Sequence, residues 1–303
     1  MKKWINIGKK PNLLNLIISL EKIDKGYALY KKFYLNENSL LYKQIRYCLN
    51  HNINFIANLG HSSFFIYYEG IKILTDPFLS PHIFGIKRQK PAIIPQLLPQ
   101  IDYILISHAH YDHLDTRTLR RLHRESTIIL PENCKPVLRN MYFKEIVELK
   151  HFEIYKNNNI EIISLPVKHN KGRSLLFPNT ETSSYIFKIK EKTFYFAGDT
   201  AYFEGFKDYG KDFDIDYAFL PIGGYEPRFL LKNVHMNPQE AVQAFLDLKA
   251  KYIIPIHFGT FHSIPRFVKV EAPLKKFKEE IKKRNLENRA IIIAPNEIEI
   301  DFC

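Results

Sequence analysis

The chain has 303 residues, 46% of them hydrophobic, 14% aromatic and 25% charged, a balance that excludes a disordered, collagen-like or disulfide-stapled protein and leaves enough apolar surface for a large core. Forty-four Lys and Arg against 32 Asp and Glu give a net charge of +12, which favours an anionic partner: a membrane surface, lipid head groups or nucleic acid. Cys48, Cys134 and Cys303 are odd in number and far apart, with no Cys-x-x-Cys pair, which points to a reducing compartment rather than a disulfide or structural-zinc unit.

Residues 1–50 read as a basic helical extension ahead of a main domain over 51–303. Residues 1–46 hold ten Lys or Arg and three acids, an excess of +7. Leu13, Leu16, Ile17, Leu20 and Ile23 recur at three- and four-residue steps with Asn12, Asn15, Ser19 and Lys22 between them, the pattern of an amphipathic helix. Its apolar stripe suits docking on the main domain, and also a lipid surface with Lys9, Lys10 and Lys25 facing head groups. The apolar run from Leu13 to Leu20 falls well short of the roughly 18 to 20 residues that cross a bilayer, and no small-x-small cleavage site precedes Glu21, Lys22 and Asp24. The expected location is the cytoplasm, with peripheral membrane association.

From residue 53 the period changes. Short runs rich in Ile, Tyr, Phe and Val follow one another between turn residues: INFIAN, SFFIYY, IKILT, YILIS, TIIL, IEIISL, SYIFKI, TFYFAG, YAFLPI, YIIPI and AIIIA, and each reads as a strand. Helices intervene after Asp115 and again at Asn237, where Asn-Pro-Gln-Glu supplies an N-cap, a proline at the first helical position and a glutamate at the third. Roughly a dozen strands are too many for one open sheet. The predicted fold is therefore α/β, two sheets packed face to face with helices outside.

The chemistry is concentrated in ISHAHYDHLD, Ile106 to Asp115, which sets His108, His110, Asp112 and His113 within six residues directly after a strand. Three imidazoles and a carboxylate at the end of a buried strand make a poor packing solution, because each demands polar partners, whereas they suit the nitrogen and oxygen preferences of zinc. Three further residues stand in equivalent positions after apolar runs: His169, Asp199 and His257. Strand ends can bring them together on one edge of the sandwich. Seven candidates exceed what one tetrahedral zinc with an open position uses, so two Zn2+ per chain are expected, with His108, His110 and His169 on one, Asp112, His113 and His257 on the other, and Asp199 bridging. A water between the ions would have its pKa lowered towards about 7, which makes hydrolysis the expected reaction class.

These motifs, with NLGHSSFFI (58–66), LTDPFLS (74–80), FAGDTAYFEGF (196–206), PIGGYEPRFLLKNVHMNPQEAV (221–242) and IHFGTF (256–261), resemble the metallo-β-lactamase superfamily and its N-acylphosphatidylethanolamine-hydrolysing phospholipase D branch. The resemblance implies the αβ/βα four-layer sandwich, a dinuclear zinc centre on the ligands named above, and attack of a metal-bridging hydroxide on a phosphodiester that releases N-acylethanolamine and leaves phosphatidic acid. It also implies a phospholipid substrate met at an anionic membrane surface, and is compatible with a homo-oligomer. Asp112 and Asp199 then carry catalytic as well as ligand roles.

His235, just before a helix cap, matches a family histidine near the substrate phosphate, where it would orient that group or protonate the leaving oxygen; from its position alone it also reads as an exposed pre-helix histidine. Asp76 is placed either to hold a ligand histidine through its second ring proton or to make an Asp-Pro turn. His61 reads as structural or as support for the ligands, and Tyr225, Glu226 and Arg228 as the rim of the site. His82, His123, His151 and His262 read as surface or packing residues. Serine catalysis has no G-x-S-x-G motif to rest on. In the favoured reading nucleic acid is not a partner; the alternative is a dinuclear-zinc nuclease or cyclic-nucleotide phosphodiesterase, for which the +12 charge is equally suitable.

Overall fold

The computed structural model describes residues 34–262 and 269–302, so the helix expected around Leu13 to Ile23 and the cysteine at 303 lie outside the described residues. Strands β1 (Phe55–Gly60), β2 (Ser63–Tyr68), β3 (Ile71–Thr75), β4 (Tyr103–Leu105), β5 (Thr127–Pro131) and β6 (Glu145–Leu149) belong to one sheet. Strands β7 (Ile154–Lys156), β8 (Glu161–Leu165), β9 (Ser184–Ile189), β10 (Lys192–Phe196), β11 (Tyr217–Pro221) and β12 (Tyr252–Ile256) form the other, before β13 (Glu297–Ile300) returns to the first. The orders are β6-β5-β4-β3-β2-β1-β13 and β7-β8-β9-β10-β11-β12. Both sheets are mixed: β3 to β6 run parallel and β13, β1, β2 and β3 antiparallel, while β7 to β10 are antiparallel and β10 to β12 parallel.

Alternation along the strands explains the layering. In β2, Phe64, Ile66 and Tyr68 point between the sheets, where they meet Phe187, Phe194 and Phe219. Phe65 and Tyr67 point the other way, onto Leu41, Ile45 and Cys48 of helix α1 (Leu40–Asn50). On the outer face of the second sheet Tyr195, Ala218 and Ile253 are covered by helices α2 (Gly205–Asp212), α3 (Pro238–Asp247) and α4 (Ala272–Lys283). Because both faces of the central strands are buried, their sequences are nearly continuous apolar runs rather than alternating ones. The result is the expected four-layer sandwich, helix, sheet, sheet, helix. The residues from Tyr34 to Asn50 pack on it: Tyr34–Leu35 pairs with Ala92–Ile93, and α1, capped by Ser39, buries one face in the outer core.

Both expected helix starts are present. Asp115 accepts from Arg117 N at the head of the short helix Thr116–Leu119, and Asn237 with Glu240 closes a capping box on α3. Two features differ from the sequence reading. The run Ala290 to Ala294 is not a strand: it makes one bridge to Ile253, then its carbonyl at Ile293 is taken by the Asn58 side chain while the Ile293 side chain enters the inter-sheet core. Strands β6, β7 and β13 were not expected, and all three are edge strands. Their outer residues are exposed or half-exposed, so they lack the continuous apolar run by which buried strands are recognised.

Gly210 marks where α2 crosses the end of α3, since a Cβ there would stand 2.2 Å from the Asp247 carbonyl oxygen. Alanine normally favours a helix over glycine by about 1 kcal/mol, but overpacking costs about 1–3 kcal/mol. Gly210→Ala is expected to lower the melting temperature by a few degrees in differential scanning calorimetry; a rise would show that the two helices have room to part.

Candidate metal centre

The site forms where strands of both sheets end. Asp76, just after β3, receives a hydrogen bond at Oδ1 from the backbone N–H of Ser107 (2.7 Å) and at Oδ2 from the Ser107 hydroxyl (2.5 Å), locking the loop that leaves β4. Within that loop the amides of His113 and Leu114 both donate to His110 O, a tight turn that brings His108, His110, Asp112 and His113 to one side. Arg173 braces the turn from outside, donating to Ala109 O at 2.6 Å and Leu114 O at 2.9 Å with its guanidinium over the Tyr111 ring. From the second sheet come His169 after β8, Asp199 after β10 and His257 at the end of β12. These strands run in the same direction, so their carboxyl ends share one edge, where loop residues can converge on a rigid frame.

The seven sequence-predicted residues come together. His110 Nδ1 lies 3.2 Å from His169 Nε2, and these two with His108 form one compact donor group. A second group contains His61, Asp112, His113 and His257. Asp199 lies between the groups: its Oδ2 is 3.2 Å from His113 Nε2, 3.3 Å from His257 Nε2 and 3.8 Å from His235 Nδ1, and it also clusters with His169. The Asp112 Oδ2 stands 3.9 Å from both His113 Nε2 and His257 Nε2.

Several rings are aimed by a bond at their other nitrogen. His113 Nδ1 is held by Asp76 Oδ2 at 2.6 Å, His169 Nδ1 by Val234 O at 2.8 Å, and His108 Nδ1 by the Ser107 hydroxyl at 2.9 Å. What they aim is unsatisfied: His108 Nε2, His113 Nε2, His257 Nε2 and Asp199 Oδ1 are all buried without a hydrogen-bond partner. Each such orphan costs about 1–3 kcal/mol, and four around one point fit a cation far better than they fit packing. Burial and neighbouring imidazoles push His108 well below the usual histidine range and His110 down to about 4, which keeps these rings neutral as ligation requires. Burial also opposes charge on His113, yet Asp199, Asp112 and Asp76 outweigh it and raise that ring well above its ordinary value; positive charge is favoured there. Burial works against ionised Asp199 too, but His113 and His257 hold it well below the usual carboxylate range.

His235 is half-buried with Nδ1 unpartnered, its ring 5.0 Å from that of His169, so it belongs to the site and is not an exposed pre-helix residue. Arg228 fixes its position by donating to His235 O at 2.7 Å and pairing with Glu240 of α3. Gly223 explains part of the Gly-Gly sequence, because a Cβ there would come 1.8 Å from His257 O. His61, left out of the ligand set in the sequence reading, lies with Nε2 3.1 Å from Asp112 Oδ2; only its place in the LGHSS turn hinted at this. His262 lines the cavity, while His82 and His123 are exposed and His151 bonds Thr182 O. That cavity, about 340 Å³, opens onto His61, Asp112 and His257 and is walled by Ile83, Phe84, Ile86, Leu231, Phe258 and Phe261.

Comparison with known proteins agrees with this architecture. The beta-lactamase superfamily domain model matches residues 72–258. The chain is 34% identical over 228 residues to the N-acyl-phosphatidylethanolamine-hydrolyzing phospholipase D 1 of Caenorhabditis elegans, covering 68% of this chain and 64% of that protein. It is 31% identical over 226 residues to a UPF0173 metal-dependent hydrolase of Exiguobacterium, covering 69% and 88%. The chain thus spans less than two thirds of the length of the nematode relative. Among solved structures, a possible metal-dependent hydrolase from Veillonella parvula superposes with a TM-score of 0.64 at 17% identity, over 82% of this chain and 99% of that one, a likeness of fold. With a superfamily model matching most of its length and the four-layer sandwich built as described, this chain belongs to the metallo-β-lactamase superfamily.

Proposed function

We propose that the chain is a zinc-dependent hydrolase that cleaves a phospholipid phosphodiester in the manner of a phospholipase D, releasing N-acylethanolamine from N-acylphosphatidylethanolamine and leaving phosphatidic acid. The observation that carries this reading is the cavity: it joins the histidine and aspartate cluster at one end to a wall of Ile83, Phe84, Ile86, Leu231, Phe258 and Phe261, which suits a charged phosphate attached to acyl chains better than a nucleotide or RNA. The likeness to the nematode phospholipase supports the same substrate class.

In this reading His108, His110 and His169 hold one cation, Asp112, His113 and His257 the other, and Asp199 serves both. Bound there, the two cations would supply Lewis acidity for the phosphate oxygens and lower the pKa of a water towards about 7. The chain's part is to keep the donors aimed, through Asp76 on His113, Ser107 on His108 and Val234 O on His169. A water oxygen adds to phosphorus and gives up a proton, the bond from phosphorus to the N-acylethanolamine oxygen breaks, and that oxygen takes up a proton in exchange. His235, with its unpartnered Nδ1 beside Asp199, is the side chain at hand to pass that proton on; burial pushes its pKa down to about 3, so it starts neutral and would take the proton from the attacking water before giving it up.

The surface around the mouth suits an anionic bilayer. Phe84 borders the cavity; Phe229 and Leu230 lie on the short helix that also contributes Leu231; and Leu175 and Leu176 form the tip of the turn that follows Arg173. All five are exposed large apolar side chains, and Lys168, Lys171 and Lys232 flank them in sequence. Apolar tips among basic residues fit insertion below a layer of acidic head groups.

Asp199→Asn is expected to reduce turnover by more than about 100-fold, beyond the range typical of residues that only support ligands, with loss of bound zinc by elemental analysis; near-normal turnover with full metal content would contradict the shared role. Mass spectrometry of products from N-acylphosphatidylethanolamine, single-stranded RNA and a lactone tests the substrate class. The expected result is N-acylethanolamine and phosphatidic acid, formed faster from anionic than from neutral vesicles, with that difference lost in the Leu175→Ser, Leu176→Ser double variant. Inert lipid alongside rapid RNA cleavage would favour the nuclease reading instead.

A further inference from the structure

His61, read from the sequence only as structural or as support for the ligands, is one of the residues through which the two sheets meet at the site. It sits in the turn between β1 and β2 with φ +60, a conformation unfavourable for a non-glycine residue that persists only where its surroundings enforce it. They do so from the far sheet: the His61 amide donates to Thr260 Oγ1 at 2.5 Å, and its carbonyl accepts the His257 amide at 3.0 Å. Its ring centroid lies 3.9 Å from that of His257 and 6.3 Å from that of Phe78. The Nε2 is 3.1 Å from Asp112 Oδ2. A carboxylate accepts and does not donate, so the proton of that bond belongs to Nε2, and a protonated nitrogen cannot coordinate a cation. Through that nitrogen His61 acts on the cluster by holding Asp112 and not by ligation.

We infer that His61 is a positioning residue for the second cation site: it fixes the Asp112 carboxylate by the Nε2 bond and the His257 backbone by its carbonyl, so that both donors face His113 together. The inference rests on the metal-centre reading proposed above. It accounts for a histidine held in a strained turn at a place where a glycine or asparagine would fit more easily. It also assigns the first site, built from His108, His110 and His169, no dependence on His61, which makes the two sites separable.

The test is a cobalt(II) titration of the full-length, chelator-stripped protein, followed by calorimetry and by visible d–d absorption. The wild type is expected to bind two equivalents. His61→Ala should keep the first equivalent with unchanged affinity and weaken the second by about 10- to 100-fold, the usual effect of removing a ligand's supporting bond. His61→Gln, whose amide nitrogen reaches about as far as the histidine Nε2 and can donate to Asp112, should recover most of that loss. If the alanine variant fails to fold, His61→Phe, which keeps a ring against His257 but has no donor, takes its place with the same expected loss. A folded Ala or Phe variant that binds both equivalents like the wild type, or a Gln variant no better than Ala, overturns the inference while leaving the metal centre standing. A wild type that binds fewer than two equivalents overturns the metal-centre reading and this inference with it.

Discussion

Asp199 is almost fully buried, with one carboxylate oxygen facing the rings of His113 and His257 at 3.2 and 3.3 Å and the other without any hydrogen-bond partner. Withdrawing a carboxylate from water costs several kcal/mol, and only nearby positive charge or well-aimed donors offset it. The nearest imidazole, His113, is itself tied to Asp76 just after β3, and Asp76 is tied to Ser107 after β4. This chain of groups crosses from the first sheet to the second. The site therefore exists only when the sandwich is assembled, and its charge balance points to cations rather than to a self-sufficient ion-pair network.

The edge on which this happens follows from topology. Strands β10, β11 and β12 are parallel and β8 shares their direction, so the residues after them leave the second sheet at the same end. The apolar cavity and the exposed Phe84, Phe229 and Leu230 lie at that end as well. One edge thus combines a polar, buried donor cluster with an apolar approach, the pairing on which the proposed lipid phosphodiester substrate rests. Arg173 and Arg228 brace this edge from the two sides, one on the loop bearing His108 to His113 and the other on the segment bearing His235.

Much of this was legible in the sequence because the central strands are buried on both faces, which forces continuous apolar runs such as SFFIYY and YAFLPI, and because three histidines and an aspartate within six residues have few purely structural explanations. The edge strands β6, β7 and β13 were not legible, since water covers part of each and erases the run. The apolar AIIIA segment misled for the complementary reason: Ile293 is buried, but after one bridge to Ile253 its carbonyl is taken by the Asn58 side chain and no ladder forms. Within the site, the ligand types were visible and some of their supports were too: Asp76, one of whose two readings was to hold a ligand histidine, holds His113, and His61 reaches Asp112. Ser107 and Val234 O were not, because they act through positions set by tertiary packing, and no local spacing announces such contacts.

Anomalous diffraction at the zinc absorption edge, from crystals grown with zinc, addresses the central claim most directly. The account predicts two peaks within one cluster, the first among His108, His110 and His169, the second among Asp112, His113 and His257, with Asp199 touching both. A single peak, or peaks that leave Asp199 without a metal neighbour, would contradict it.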